Sequence, residues 1–157
     1  MADVALRPVA DADLDAIFDM MRDPEAVRMA AFTAEDPSDR AAFDAHMHRL
    51  RTSPDIFLRA VTVDGDLAGT IGSFVAFGHT EVTYWLRRPL WGRGIGSRAL
   101  ALLLVQVPDR PMYARAAADN AGSLRVLDKA GFRVVGEETA YATARGREIT
   151  EKVLRLG

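Results

Sequence analysis

Residues 95–107 (IGSRALALLLVQV) are apolar almost all round, with Ser97, Arg98 and Gln106 as the polar exceptions. A helix with so little polar face is largely buried, so the rest of the chain must supply its cover. Glycines precede this segment and Pro108 ends it. Its longest uninterrupted apolar run, Ala99 to Val105, is seven residues, far short of the roughly 20 that cross a bilayer. The N-terminus (MADVALRPV) resembles neither a signal nor a transit peptide. These features predict a soluble, cytoplasmic protein with no membrane partner.

The flanking segments read as a mixture of strands and helices. Val4–Val9 alternates weakly and reads as a short strand. Leu14, Ile17, Phe18 and Met21 lie at helical spacing behind Asp11 or Asp13 as a cap, and Pro24 marks that helix's end. Residues 25–36 form a loop or a short second helix. A further helix starts after Pro37, carries Phe43, Met47 and Leu50, and stops at Ser53-Pro54. Ile56–Val63, Leu67–Phe77 and Glu81–Leu86 read as three strands of an antiparallel meander, joined at Asp64-Gly65-Asp66 and Gly78-His79-Thr80. After the apolar helix come a strand (111–116), a helix (120–130) with Gly131 as its C-terminal cap, and strands 132–136 and 148–156 joined through Ala144–Gly146. The strand–helix–strand crossover over 81–116 interrupts an otherwise antiparallel order. The expected fold is α/β (α+β), with a central, mostly antiparallel mixed sheet and helices on both faces.

The length of 157 residues fits one domain, 1–157. A net charge of −2 does not point to nucleic acid. The absence of cysteine excludes thiolate nucleophiles and Cys-based metal sites. Three histidines occur, and His46 and His48 point to different sides of a helix, so no metal site is expected.

Trp91-Gly92-Arg93-Gly94-Ile95-Gly96 lies between a strand and the apolar helix. Without a Cβ at alternate positions, successive N–H groups can converge on one point. The helix start adds unpaired donors and the positive end of its dipole. Arg93 adds charge. The same glycines also suit a plain tight turn. A dinucleotide fingerprint fits less well, because Arg87–Trp91 separates the glycines from the strand and the next strand, Tyr113-Ala-Arg-Ala-Ala, has no acidic residue.

A second segment, Asn120-Ala-Gly-Ser123-Leu-Arg-Val-Leu127-Asp-Lys129-Ala-Gly131-Phe132, follows 24 residues after Gly96. By itself it reads as a capped helix, with Asn120 as N-cap and Gly131-Phe132 as stop. The two motifs in this order, after Leu6-Arg7-Pro8 and before a closing hairpin, resemble the GNAT superfamily of N-acetyltransferases. They resemble in particular the branch that acetylates ribosomal proteins (RimJ/RimL type). The resemblance runs from about residue 4 to 156.

The resemblance implies an acetyl-CoA-dependent N-acetyltransferase, an acyltransferase with acetyl-CoA as cosubstrate and no metal. The pyrophosphate would sit at Trp91, Gly92, Arg93, Gly94, Ile95, Gly96 and Ser97. Trp91 stands where the superfamily usually has Gln or Arg. Asn120 and Ser123 would face the pantetheine arm, Lys129 would also belong to the cofactor-binding set, and a backbone N–H near Trp85 or Leu86 would serve the oxyanion. The small Ala114, Ala116, Ala117 and Ala118 would leave room for the arm between strands 81–86 and 111–116.

Acetyl transfer needs a neutral amine, donors for the oxyanion and a way to neutralise the departing thiolate. Glu81 is the first candidate base, against a plain surface carboxylate; His79 is its rival. Many relatives carry Tyr where this chain has Asp128, which cannot donate a proton when ionised. Ser123 is the best substitute, with Tyr84, Tyr113 and Tyr141 remaining. A peptide α-amine, with a pKa of about 7.7–8.0, makes a smaller demand on such a catalytic set than a lysine at about 10.4. The expected acceptor is a primary amine on a protein N-terminus or a small molecule. Acceptor choice would lie in about residues 24–52 and 138–147. Met20, Met21, Met29 and Met47 read as core packing. Relatives often dimerise, so a homodimer is one assembly the resemblance allows. Two other readings stand beside the enzyme: a catalytically idle acyl-CoA-binding module and a non-enzymatic interaction domain.

Overall fold

The computed structural model describes residues 2–76 and 78–157. In chain order the elements are β1 (Val4–Arg7), α1 (Leu14–Met21, led in by a 3₁₀ turn at Asp11–Asp13), α2 (Pro24–Ala30), α3 (Arg40–Thr52), β2 (Phe57–Val63), β3 (Asp66–Ala76), β4 (His79–Leu86), α4 (Ile95–Gln106), β5 (Met112–Ala117), α5 (Ala121–Lys129), β6 (Arg133–Ala142) and β7 (Arg147–Leu156). The expected strand 67–77 extends to Phe77, which lies outside the described residues.

The strands form one seven-stranded sheet, β1-β2-β3-β4-β5-β7-β6. Every neighbouring pair is antiparallel except β4–β5. The crossover through α4 produces that one parallel pair, since a parallel return needs a long connection. This is the mixed sheet with helices on both faces that the pattern predicts.

Alternation along the strands divides the core. Val61, Ile71, Val82, Leu86, Met112, Ala114 and Leu154 face α4 and α5, where Leu100, Leu103 and Leu127 are almost fully buried. The apolar segment is thus covered by the sheet. On the other face Ala60 meets Ile17 and Phe18 of α1 and Phe43 and Met47 of α3. The helical spacing read from Leu14 to Met21 and from Phe43 to Leu50 marks these buried faces.

Several boundaries differ from expectation. A distinct α2 begins at Pro24, with Asp23 accepting the N–H groups of Glu25 and Ala26. Pro24 therefore opens a helix as well as following one, as proline at the first helical position can. Asp13 does not cap α1 with its side chain; its carboxylate binds Arg7 instead. His79 and Thr80 belong to β4 and pair with β3, not to the connection before it. β6 runs to Ala142, six residues beyond the expected 136. Its residues are mostly exposed, so it lacks the buried apolar alternation by which a strand is recognised. No described helix is long and apolar enough to cross a membrane.

Candidate active site

The parallel pair supplies the opening. β4 and β5 are in register only at Thr80–Met112 and Glu81–Tyr113. Beyond these, β4 follows β3 as far as Leu86 opposite Gly69, while β5 follows β7 as far as Ala117 opposite Glu151. Beyond Glu81–Tyr113 the two strands share no ladder pair; Ala114, Ala116 and Ala117 stand there almost fully buried, and none of them lines the cavity beside the end of β4.

A cavity of about 350 Å³ lies at the open end. Tyr84, Trp85 and Leu86 of β4 form one wall, and Trp91, Gly92 and Gly94 of the loop form its end. Ile95, Gly96 and Ser97 contribute the first turn of α4. Asn120, Ser123, Arg125, Val126 and Lys129 line it from α5 and its cap, and Ala26, Met29 and Ala30 close it from α2. The two sequence motifs thus meet across one space. Of the residues expected to hold a coenzyme, the wall contains Trp85, Leu86, Trp91, Gly92, Gly94, Ile95, Gly96, Ser97, Asn120, Ser123 and Lys129. Arg93 is exposed on the loop and is not part of the wall.

The loop takes its shape from two left-handed glycines, Gly92 at φ +76° and Gly94 at φ +78°. Gly94 is the N-cap of α4. No atom lies within 4 Å of where a Cβ would project at either position, so both backbones are bare toward open space. The first-turn N–H groups of α4 have no intrahelical acceptors. The Trp91 indole N–H donates to the Leu86 carbonyl at 3.0 Å, tying the loop back to the end of β4. Trp91 therefore has a structural contact in place of the side chain the superfamily pattern carries.

At the other end of the cavity the Tyr84 hydroxyl lies 2.8 Å from Ser123 Oγ. Burial pushes the Tyr84 phenol above its ordinary value, partly offset by the Ser123 hydrogen bond. Asn120 acts as the expected cap, its Oδ1 accepting from Ser123 N–H at 3.2 Å. Its Nδ2 donates to the Met29 carbonyl at 3.4 Å. Asp128 is exposed and lies outside the wall.

Glu81 is 4% exposed and stands where β4 and β5 begin to part. It is not on the cavity wall. Arg115 Nε lies 3.3 Å from its carboxylate, and the same guanidinium reaches Glu138 at 2.6 Å and Glu151 at 3.3 Å. Burial pushes Glu151 above the usual carboxylate range, with Arg115 opposing the shift. His79 stacks on Tyr113, ring centres 4.0 Å apart. The plain surface-carboxylate reading of Glu81 is therefore wrong.

Sequence reasoning missed the role of α2. Ala26, Met29 and Ala30 share one helix face and line the cavity, so Met29 is wall and not core packing. The Asp23-Pro24-Glu25 start was the available signal. Both ends of α2 are held: Arg88 binds Asp23 at 3.1 Å, and Arg145 Nε donates to the Arg28 carbonyl at 2.6 Å.

Comparison with known proteins agrees with this geometry. The model of the acetyltransferase (GNAT) domain family matches residues 3–133. No curated protein matches the sequence significantly. Among solved structures, Mycobacterium smegmatis RimJ in complex with CoA-disulfide superposes with a TM-score of 0.84 at 22% identity, covering 98% of this chain and 81% of that one. A phosphinothricin acetyltransferase from Sinorhizobium meliloti in complex with AcCoA gives 0.81 at 22% identity, covering 98% and 87%. Spermidine N-acetyltransferase from Vibrio cholerae, in complex with CoA and spermine, gives 0.76 at 16% identity, covering 98% and 94%. At these identities the likeness is one of fold.

Proposed function

The chain belongs to the acetyltransferase (GNAT) domain family, and from that membership we propose that residues 1–157 act as one acetyl-CoA-dependent N-acetyltransferase domain of the RimJ/RimL type. The acceptor is a primary amine, on a protein N-terminus or a small molecule, attacking the thioester directly in a ternary complex.

The observation that carries this reading is the cavity that joins the glycine loop to Asn120 and Ser123 beside the end of β4. The residues present fit the cosubstrate. Bare backbone at Gly92 and Gly94, with the N-terminus of α4 behind it, suits a pyrophosphate. Arg93 adds positive charge from the exposed loop, and Arg125 and Lys129 add it from the wall. The apolar flank of Leu86, Ile95 and Val126 suits the pantetheine arm. A backbone N–H near Trp85 or Leu86 is the proposed donor to the oxyanion.

Glu81 is the proposed base, paired with Arg115 at the root of the seam and acting through water. A carboxylate acting through water is a modest catalytic set. This suits an α-amine, of which a tenth or more is already neutral at pH 7. The smooth apolar face of α2 would form the acceptor side. The neighbour structures holding AcCoA, CoA and spermine support the acyl donor and the amine class.

Thermal melting with and without acetyl-CoA tests the cosubstrate, and release of coenzyme A on adding spermine or an α-amine peptide tests the transfer. At 100 times its Kd the ligand adds about 2.7 kcal/mol, a rise of roughly 5–10 °C for a chain of this size. Gly94→Asp should abolish the rise by placing a carboxylate against the phosphates. An idle acyl-CoA-binding module is favoured by the exposure of Asp128 and would give the rise without thiol release. No rise at millimolar acetyl-CoA would sink both readings.

A further inference from the structure

Neutral side chains with hydrogen-bonding atoms on the cavity wall differ in what they have left to give. The Trp85 indole N–H is committed to the Met20 carbonyl at 3.1 Å, and the Trp91 indole N–H to Leu86. Asn120 uses its oxygen on Ser123 N–H and an N–H on Met29. Ser97 sits in the first turn of α4, at the glycine-loop end. That leaves the second N–H of Asn120 and, as hydroxyls, the Tyr84–Ser123 pair. Two hydroxyls have two protons between them, and one proton joins Oη to Oγ across 2.8 Å. The second has only the Ser123 carbonyl, at a long 3.4 Å from Tyr84 Oη, as a protein acceptor. One O–H donor is therefore available to the cavity.

We infer that Tyr84 Oη presents this donor to the departing sulfur, with Ser123 Oγ holding the phenol in place. The inference rests on the function proposed above. The amine nitrogen bonds to the carbonyl carbon and the C–S bond breaks, leaving the electron pair on sulfur. The Tyr84 O–H hydrogen-bonds to that thiolate. The surplus proton of the amine leaves through base and water, and finally protonates the sulfur. Tyr84 begins and ends neutral. Burial favours this, because a phenol pushed above its ordinary value stays protonated at every working pH. It stabilises charge as a fixed dipole and does not give its proton away. The arrangement supplies from β4 a donor that Asp128, exposed on α5, cannot provide.

The test titrates the thiol of bound coenzyme A by thiolate absorbance, which needs no acceptor. A hydrogen bond to a charged group is worth about 1.5–3 kcal/mol, so the bound thiol should titrate about 1–2 pH units below the free thiol. Tyr84→Phe should remove most of that shift. It should leave affinity for coenzyme A, measured below the thiol pKa, within about threefold. Ser123→Ala should remove part of the shift, since the phenol remains but is no longer held. A bound thiol that titrates like free coenzyme A in the wild-type protein overturns the inference. So does loss of the whole shift in Ser123→Ala with little change in Tyr84→Phe, which would make serine the presenting donor. If Tyr84→Phe fails to fold, the wild-type titration and Ser123→Ala still decide. Failure of coenzyme A to bind at all overturns the proposed function, and this inference with it.

Discussion

At Asp13 both carboxylate oxygens meet the Arg7 guanidinium, at 2.7 and 2.8 Å, and the Ala10 N–H reaches Oδ2 at 2.7 Å. The carboxylate is almost buried, and the Arg7 hydrogen bonds hold it below the usual range. The unfolded chain then binds the proton more tightly than the native one. Asp13 therefore contributes stability above its unfolded pKa of about 3.9, and loses it as pH falls through the lower folded value. Asp13→Asn should cost about 1–2 kcal/mol near pH 6, discounted for the half-open Arg7. In urea melts the gap between variant and wild type should close progressively below about pH 4. A gap independent of pH would mean the charge is irrelevant. The sequence offered Asp13 only as a helix cap; the six-residue step back to β1 that brings in Arg7 depends on the path of the chain. Gly69 is similar. A Cβ there would lie 2.0 Å from the Trp85 carbonyl, a closeness of β3 to β4 that no local pattern records.

Among elements, α2 is the one whose place depends most on partners distant in sequence. It has seven residues, too few to be stable alone. It ends at Ala31, fully buried with φ +66°, a region L-residues rarely adopt. The hairpin turn after β6 holds this end: Ala144 N–H donates to the Ala31 carbonyl at 3.1 Å and Arg145 to the Arg28 carbonyl. The Arg145 guanidinium also grips Asp119 with two bonds, of 2.8 and 3.0 Å, and its side chain is 7% exposed. The regions expected to choose the acceptor are thus physically joined over the cavity. Arg145→Ala should cost about 1–2 kcal/mol, through the Arg28 carbonyl's lost donor and the lost packing of the buried guanidinium, since Asp119 is open to water. Amide exchange should quicken in α2 well before α4. Uniform quickening would show a general loss of stability and no local clamp. The glycine loop and the Asn120 cap were legible in sequence because each is a local backbone device. The α2 wall was not, because its length and ends are fixed by the hairpin.

For the whole molecule, the sheet consists of two antiparallel runs, β1 to β4 and β5-β7-β6, meeting at one parallel seam. The seam is closed at Glu81–Tyr113 and open toward Leu86 and Ala117. A crossover between strands 81–86 and 111–116 could be read from the order of patterns. Its two-position register could not, because divergence follows from the twist of each run and the helices packed beneath them. The position of Glu81 shows the limit. The sequence put it at a strand end, and only the sheet shows it buried at the root of the seam beside Arg115, with Glu138 and Glu151 arriving from β6 and β7. An open seam has a measurable consequence. Beyond the pairing, N–H groups on the facing edges of β4 and β5 have no ladder partner in the other strand, so they exchange with solvent by local access and not by unfolding. The expectation is fast exchange at alternate amides of Val82–Leu86 and Ala114–Ala117, inside strands whose other amides are protected by β3 and β7. Coenzyme A lying in the seam should slow those same amides and leave β2 and β3 unchanged. Uniform protection of β4 and β5 without ligand would mean that the seam is closed in solution. Slowing confined to the glycine loop would mean that the phosphates bind while the arm lies elsewhere.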